Sequence, residues 1–167
     1  MEGFSLSTAL INGLALCLLM GISIIVSLFV NVRVWMQDFP AEVQAAIPPL
    51  SPAEKRQRLF FAVPILAAFF GVLGYTILQL RALPDGEISF VGAYLTLLIV
   101  FQMFNLFDAV VIDWLLLIVW KPAAVHVPGT EGLEHTYESL RFQFTAFMKG
   151  LIGGIVFCLP LALLAVL

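Results

Sequence analysis

Four stretches of about twenty predominantly apolar residues recur along this chain, near 8–35, 59–80, 88–120 and 150–167. Each is long enough to cross ~30 Å of hydrocarbon at a helical rise of ~1.5 Å per residue. Backbone groups inside hydrocarbon must be hydrogen-bonded within their own segment, so the stretches are predicted to be helices. The alternation that a lipid-facing barrel requires is absent. A chain of 167 residues could form one ordinary soluble domain, but 62% apolar and 11% charged residues depart from that class, which runs near one half and one quarter. The expected fold is therefore all-α: a four-transmembrane-helix bundle forming a single integral membrane domain over residues 1–167.

Orientation follows from the cations. Arg33, Lys55, Arg56, Arg58, Lys121, Arg141 and Lys149 flank the first and third connections, about 36–58 and 121–149, and only Arg81 lies on the other side. The positive-inside rule then places those connections in the cytoplasm and both termini outside, as in a bacterial inner membrane. Trp35, Trp114 and Trp120 fall at the same cytoplasmic level, where indole rings prefer to sit. The outer connection is a short turn around Pro84-Asp85-Gly86. Met1-Glu2-Gly3-Phe4 lacks the positive n-region of a secretory signal, so the first apolar run is read as a retained helix.

The first cytoplasmic connection has readable local structure. Ser51-Pro52-Ala53-Glu54 is a capping box with proline at the first helical position, which starts helix two about two turns before its apolar part. Residues Phe39 to Ile47 are predicted to form a short interfacial helix that Pro48-Pro49 ends. Lys55, Arg56 and Arg58 serve topology and lipid phosphate attraction, or alternatively a specific ligand.

Lipid supplies no hydrophobic drive for helix association, so small residues that permit close approach carry much of the packing. Gly150, Gly154, Cys158 and Ala162 form one such ridge; Gly13, Cys17 and Gly21 form another, and Ala67 and Gly71 a third. Cys17 and Cys158 match in depth, which predicts that helices one and four are neighbours. The two thiols are expected to be small packing residues, with a redox or metal pair as the alternative. Pro160 is expected to kink span four near Val156, and Pro64 is better tolerated near the start of span two.

Span one carries Asn12, Ser23, Ser27 and Asn31 on about a third of its circumference, a face expected to meet protein through interhelical hydrogen bonds. Span three is the most informative. As one straight α-helix its 33 residues, 88–120, would measure roughly 50 Å, more than tilt absorbs in a ~30 Å core. The helix must project into a packed cytoplasmic layer or break, with the break expected at Gln102, Asn105 and Asp108. At α-helical spacing Gln102, Asn105 and Asp113 lie within about 80° of one another, with Asp108 flanking them. Carboxylates at the membrane boundary suggest a proton or cation site, or the polar end of a substrate cavity. The competing explanation is an ion pair with Arg33, Arg58 or Lys121.

The second cytoplasmic connection holds the remaining chemistry. Thr130 is expected to cap a helix that sets Glu131, Glu134 or His135, and Glu138 on one face. With His126 or the aspartates, that face could hold a divalent metal; a solvated acidic face near a helix start is the plainer reading. There is no nucleophile constellation, phosphate loop or cofactor motif. No cofactor is identified, and no basic tract points to nucleic acid.

The stretches Asp38-Phe39-Pro40-Ala41-Glu42, Pro52-Ala53-Glu54-Lys55-Arg56, Asn105-Leu106-Phe107-Asp108, Asp113-Trp114 and Pro128-Gly129-Thr130-Glu131-Gly132 resemble those of a group of small, uncharacterised bacterial multipass membrane proteins. The resemblance implies no activity. It marks the helix-three aspartates and the Pro-Gly-Thr-Glu-Gly turn as one cytoplasm-facing unit. Two functions follow as expectations. One is a small transport or channel-like protein, or a membrane-assembly subunit, acting as a homo-oligomer or with a membrane partner subunit. The other is a membrane-bound enzyme using Asp108, Asp113, His126, Glu134, His135 and Glu138.

Overall fold

The computed structural model describes residues 4–83 and 88–167, and every regular element among them is helical. The elements are α1 (Leu6–Asn31), a 3₁₀ segment (Val32–Asp38), α2 (Ala41–Ala46), α3 (Pro52–Arg81), α4 (Phe90–Phe107), a π-helical continuation (Asp108–Trp120), a 3₁₀ turn (Ala123–Val125), α5 (Glu134–Tyr137) and α6 (Leu140–Val166). Four helical stretches are long and apolar enough to cross a membrane: Leu6–Asp38, Pro52–Arg81, Phe90–Trp120 and Glu134–Val166. The turn around Pro84-Asp85-Gly86 lies outside the described residues.

Serine starts all four long helices. Ser5, Ser51, Ser89 and Ser139 each accept a hydrogen bond from a backbone N–H in the first turn, satisfying a donor that the helix itself leaves open. At Ser51 the expected capping box is complete, because the Glu54 carboxylate also accepts from the Ser51 N–H at 2.8 Å. Ser139 begins α6 well before the apolar run at Gly150. Hydropathy misses that start because Arg141, Gln143 and Lys149 are polar, yet they continue the helix.

The long helices form a ring in the order α1, α3, α6, α4. The helices α1 and α6 therefore occupy a diagonal and share no extended contact. This corrects the expectation that spans one and four are neighbours. Both small-residue ridges exist, but both pack on α4. A methyl group on Gly13 or Gly21 would meet Met103 or Phe107, and one on Gly150 or Gly154 would meet Asn105 or Phe101 and Gln102. Cys17 and Cys158 are each one helical turn from these glycines and are buried free thiols on opposite flanks of α4. Equal depth in the chain could not distinguish a shared contact from two contacts with a common neighbour. Ala67 and Gly71 face outward instead, and nothing lies within 4 Å of where a Gly71 Cβ would sit.

Polar side chains fix the pairing. The Asn12 amide donates to Thr76 Oγ1 at 2.9 Å and to Gln79 Oε1 at 2.6 Å, joining α1 to α3. Asn31 donates to Gln57 Oε1 at 2.8 Å, and Ser27 accepts from the Trp35 indole at 2.8 Å. Asn12 and Asn31 thus bond across helices as expected, while Ser27 is bonded within its own span and Ser23 donates to Leu19 O of its own helix. Where the termini lie, the Arg81 guanidinium donates to Leu164 O and Ala165 O, satisfying carbonyls in the last turn of α6.

At the opposite end, the 3₁₀ segment, α2 and residues 123–137 fold into a packed layer around buried Val34, Val43, Ile47, Val125, Val127 and Tyr137. The projected length of span three is thus taken up in part by this layer. The rest is absorbed by rewinding, as a π-helix fits more residues into each turn.

Candidate functional site

The site is built on the change of winding at Asp108. Five residues separate Asp108 from Asp113, and an α-helix would place them about 140° apart. In a π-helix the hydrogen bond runs between residues five apart, so a residue and its fifth neighbour share a face. The ladder persists to the end of the segment, where Lys121 N–H donates to Leu116 O at 3.0 Å and Lys121 closes the helix in a left-handed conformation. Asp108 and Asp113 consequently line one cavity of about 400 Å³.

Its walls come from six parts of the fold. Met20, Ile24 and Leu28 come from α1, Ile65 from α3, and Phe104, Ile112 and Leu117 from span three. Trp35, Asp38 and Phe39 close it from the 3₁₀ segment and its end, with Tyr137, Phe142 and Gln143 across from them. Phe39 and Tyr137 meet edge to face, with ring centroids 5.1 Å apart. Gln143 is buried and donates to Tyr137 O at 2.9 Å, which ties α6 to the layer that caps the cavity.

Neither Asp108 nor Asp113 has a hydrogen-bond or ion-pair partner among the described residues. The cations considered as partners are engaged elsewhere. Arg33 pairs with Glu54 and donates to Pro48 O, Arg58 donates to Gln37 Oε1, and Lys121 pairs with Glu138. Among the described residues no Lys or Arg lines the cavity. Arg141 and Lys149 line a second cleft of about 640 Å³, with Asp38 standing between the two spaces. The Tyr137 hydroxyl is also buried without a hydrogen bond: Thr130 lies beside it but donates to Val127 O at 2.8 Å.

The remaining predicted residues are not drawn into this site. Asn105 donates to Gln102 Oε1 and Phe147 O, and Gln102 to Leu151 O, so both face α6 rather than joining Asp113. The α-helical wheel grouped them wrongly because it carried 100° per residue through a π segment. The expected helix from Thr130 is also corrected. Gly129 and Gly132 adopt φ of 86° and 90°, two reversals that leave only the single turn Glu134–Tyr137 helical. Glu131 accepts from Gly129 N–H, Glu134 from Gly132 N–H, and His135 Nδ1 meets Gly132 O at 3.0 Å. These groups serve local turns. His126, Glu134, His135 and Glu138 lie outside the cavity lining. Among the described residues no three His, Cys, Asp or Glu side chains come together as a metal would need.

Asp38, Trp35 and Gln143 join the site without a strong sequence signal. Asp38 and Trp35 shared the depth of Asp113, which placed them at the right level but on no particular face. Comparison of the chain with known protein families, curated proteins and solved structures finds no match.

Proposed function

We propose that this protein is a multipass membrane protein of transport type that binds a cation in the Asp108–Asp113 cavity, at the cytoplasmic boundary of the bilayer. The observation that carries this reading is a walled space lined by three carboxylates, Asp38, Asp108 and Asp113, and, among the described residues, by no Lys or Arg. Asp108 and Asp113 are partly buried; charges withdrawn from water are ordinarily paired, and intramembrane carboxylates commonly serve ion or substrate pathways. The cationic flanks of the adjoining connections support a cytoplasmic mouth. Four helices enclose little space, so the working form is an oligomer. The outward face of Ala67 and Gly71 suits close helix contact with a second copy. An enzyme is less favoured, because His126, Glu134 and His135 stand apart from the carboxylates.

Reconstituted vesicles test the reading through flux of protons and of monovalent cations, inorganic and organic. Flux in the wild type that falls at least tenfold in Asp108→Asn supports it. Wild-type flux no greater than that of empty vesicles, or flux unchanged in the variant, overturns it.

A further inference from the structure

We infer that the cavity takes an amphipathic organic cation, a quaternary or hindered tertiary ammonium with an apolar body, rather than a bare metal ion. The inference rests on the cation-binding reading above and specifies its substrate class.

Charge sets the sign of the ligand. Asp108 and Asp113 enter the space together on one face of the π segment, Asp38 joins them in its wall, and among the described residues no Lys or Arg lines it. Coordination chemistry then separates the candidate cations. Calcium or magnesium needs six or more oxygens at short range, and zinc needs three or four protein ligands. Asp38, Asp108 and Asp113 line the space without coming together as a metal would need, and no other such group occurs among the described residues. A small hydrated ion would also find most of this wall unable to replace its water.

The wall does suit an ammonium carried on hydrocarbon. Trp35, Phe39, Phe104, Tyr137 and Phe142 all line the cavity. Aromatic faces attract an alkylated cation through their quadrupoles, and they do so more strongly once water is excluded. Trp35 is positioned for this by its own hydrogen bond to Ser27, which orients the ring. The aliphatic remainder, including Ile24, Leu28 and Ile112, can receive alkyl groups. The volume of about 400 Å³ falls within the ~300–1,000 Å³ of small-molecule sites, and is far more space than a single inorganic ion fills. Tyr137 contributes its ring, which is buried and held edge to face against Phe39 with centroids 5.1 Å apart.

The test uses purified full-length protein in detergent and the tetraalkylammonium series from tetramethyl to tetrahexyl, read by calorimetry and by Trp35 fluorescence. The expected result is an optimum at intermediate size, with tetrapropylammonium binding at least tenfold more tightly than tetramethylammonium. Asp108→Asn and Asp113→Asn should each weaken that binding at least tenfold. Trp35→Phe should remove the fluorescence response while calorimetry still detects binding. Affinity rising steadily with chain length and indifferent to both Asn variants would mean micelle-like partitioning and would overturn the inference. Were no tetraalkylammonium to bind while proton or sodium flux still depended on Asp108, the substrate class would be wrong and the cation-transport reading would stand. Absence of both binding and flux would remove both. The size series on the wild type is informative even if a variant fails to fold.

Discussion

Gly154→Ala should loosen the α4–α6 contact, whereas the same substitution one residue earlier, Gly153→Ala, should not. Gly154 is buried, and its added methyl would meet the Phe101 ring and the Gln102 amide. Gly153 is exposed, with nothing within 4 Å of the new methyl. Overpacking of this kind costs about 1–3 kcal/mol. Moving Gln102 off Leu151 O, which it reaches at 3.0 Å, removes a further ~0.6 kcal/mol. Replacing glycine by alanine in a helix returns up to ~1 kcal/mol. The net loss at Gly154 is then roughly 0.6–2.6 kcal/mol, a factor of about 3–80 in the unfolding equilibrium. Gly153→Ala should be neutral or stabilising by up to ~1 kcal/mol. Unfolding of the purified variants by sodium dodecyl sulfate in mixed micelles measures both. Equal destabilisation, or a larger loss at Gly153, would show that α6 does not present its Gly154 face to α4. The rotation of α4 deduced from that contact would fail with it.

Asn12→Leu removes both amide donations across α1 and α3 and should destabilise the bundle by ~1 kcal/mol, with a coupling near ~0.6 kcal/mol to Thr76→Val in a double-mutant cycle. Mild oxidation should form no intrachain Cys17–Cys158 disulfide, because the ring order sets their helices on a diagonal; a faster-migrating nonreducing band would contradict that order. Lys121→Ala breaks a pair whose lysine side chain is 40% exposed and should change stability by under ~1 kcal/mol in the same unfolding assay.

Much of this architecture was legible because the responsible physics is local. Twenty apolar residues specify a helix of spanning length, and Ser51 with Glu54 specifies a helix start, whatever surrounds them. The ridges of spans one and four lie at close crossings, while Ala67 and Gly71 of span two face outward. Small residues could not name the partner, since a small face fits any neighbour, and both ridges at crossings proved to need the same helix. Span three held the harder problem. Its excess length was visible, but the remedy, a π segment that begins at Asp108, has no local residue signal, and it alone decides which polar groups share a face. Asp113 therefore joined Asp108 rather than Asn105. The turn at Gly129 and Gly132 was misread for a related reason. Acidic residues after Thr130 look like a helix start, while two glycines with positive φ reverse the chain twice within four residues.

Thiol accessibility tests most directly whether the two carboxylates share a space that opens to one side. In a Cys17→Ala, Cys158→Ala background, Asp108→Cys and Asp113→Cys should both react with a small charged thiol reagent applied to the cytoplasmic face of sealed membranes, and neither from outside. Asn105→Cys, packed on Gly150, should stay unreactive. Reaction from the outer face, or reaction at position 105 with none at 108 and 113, would contradict the account.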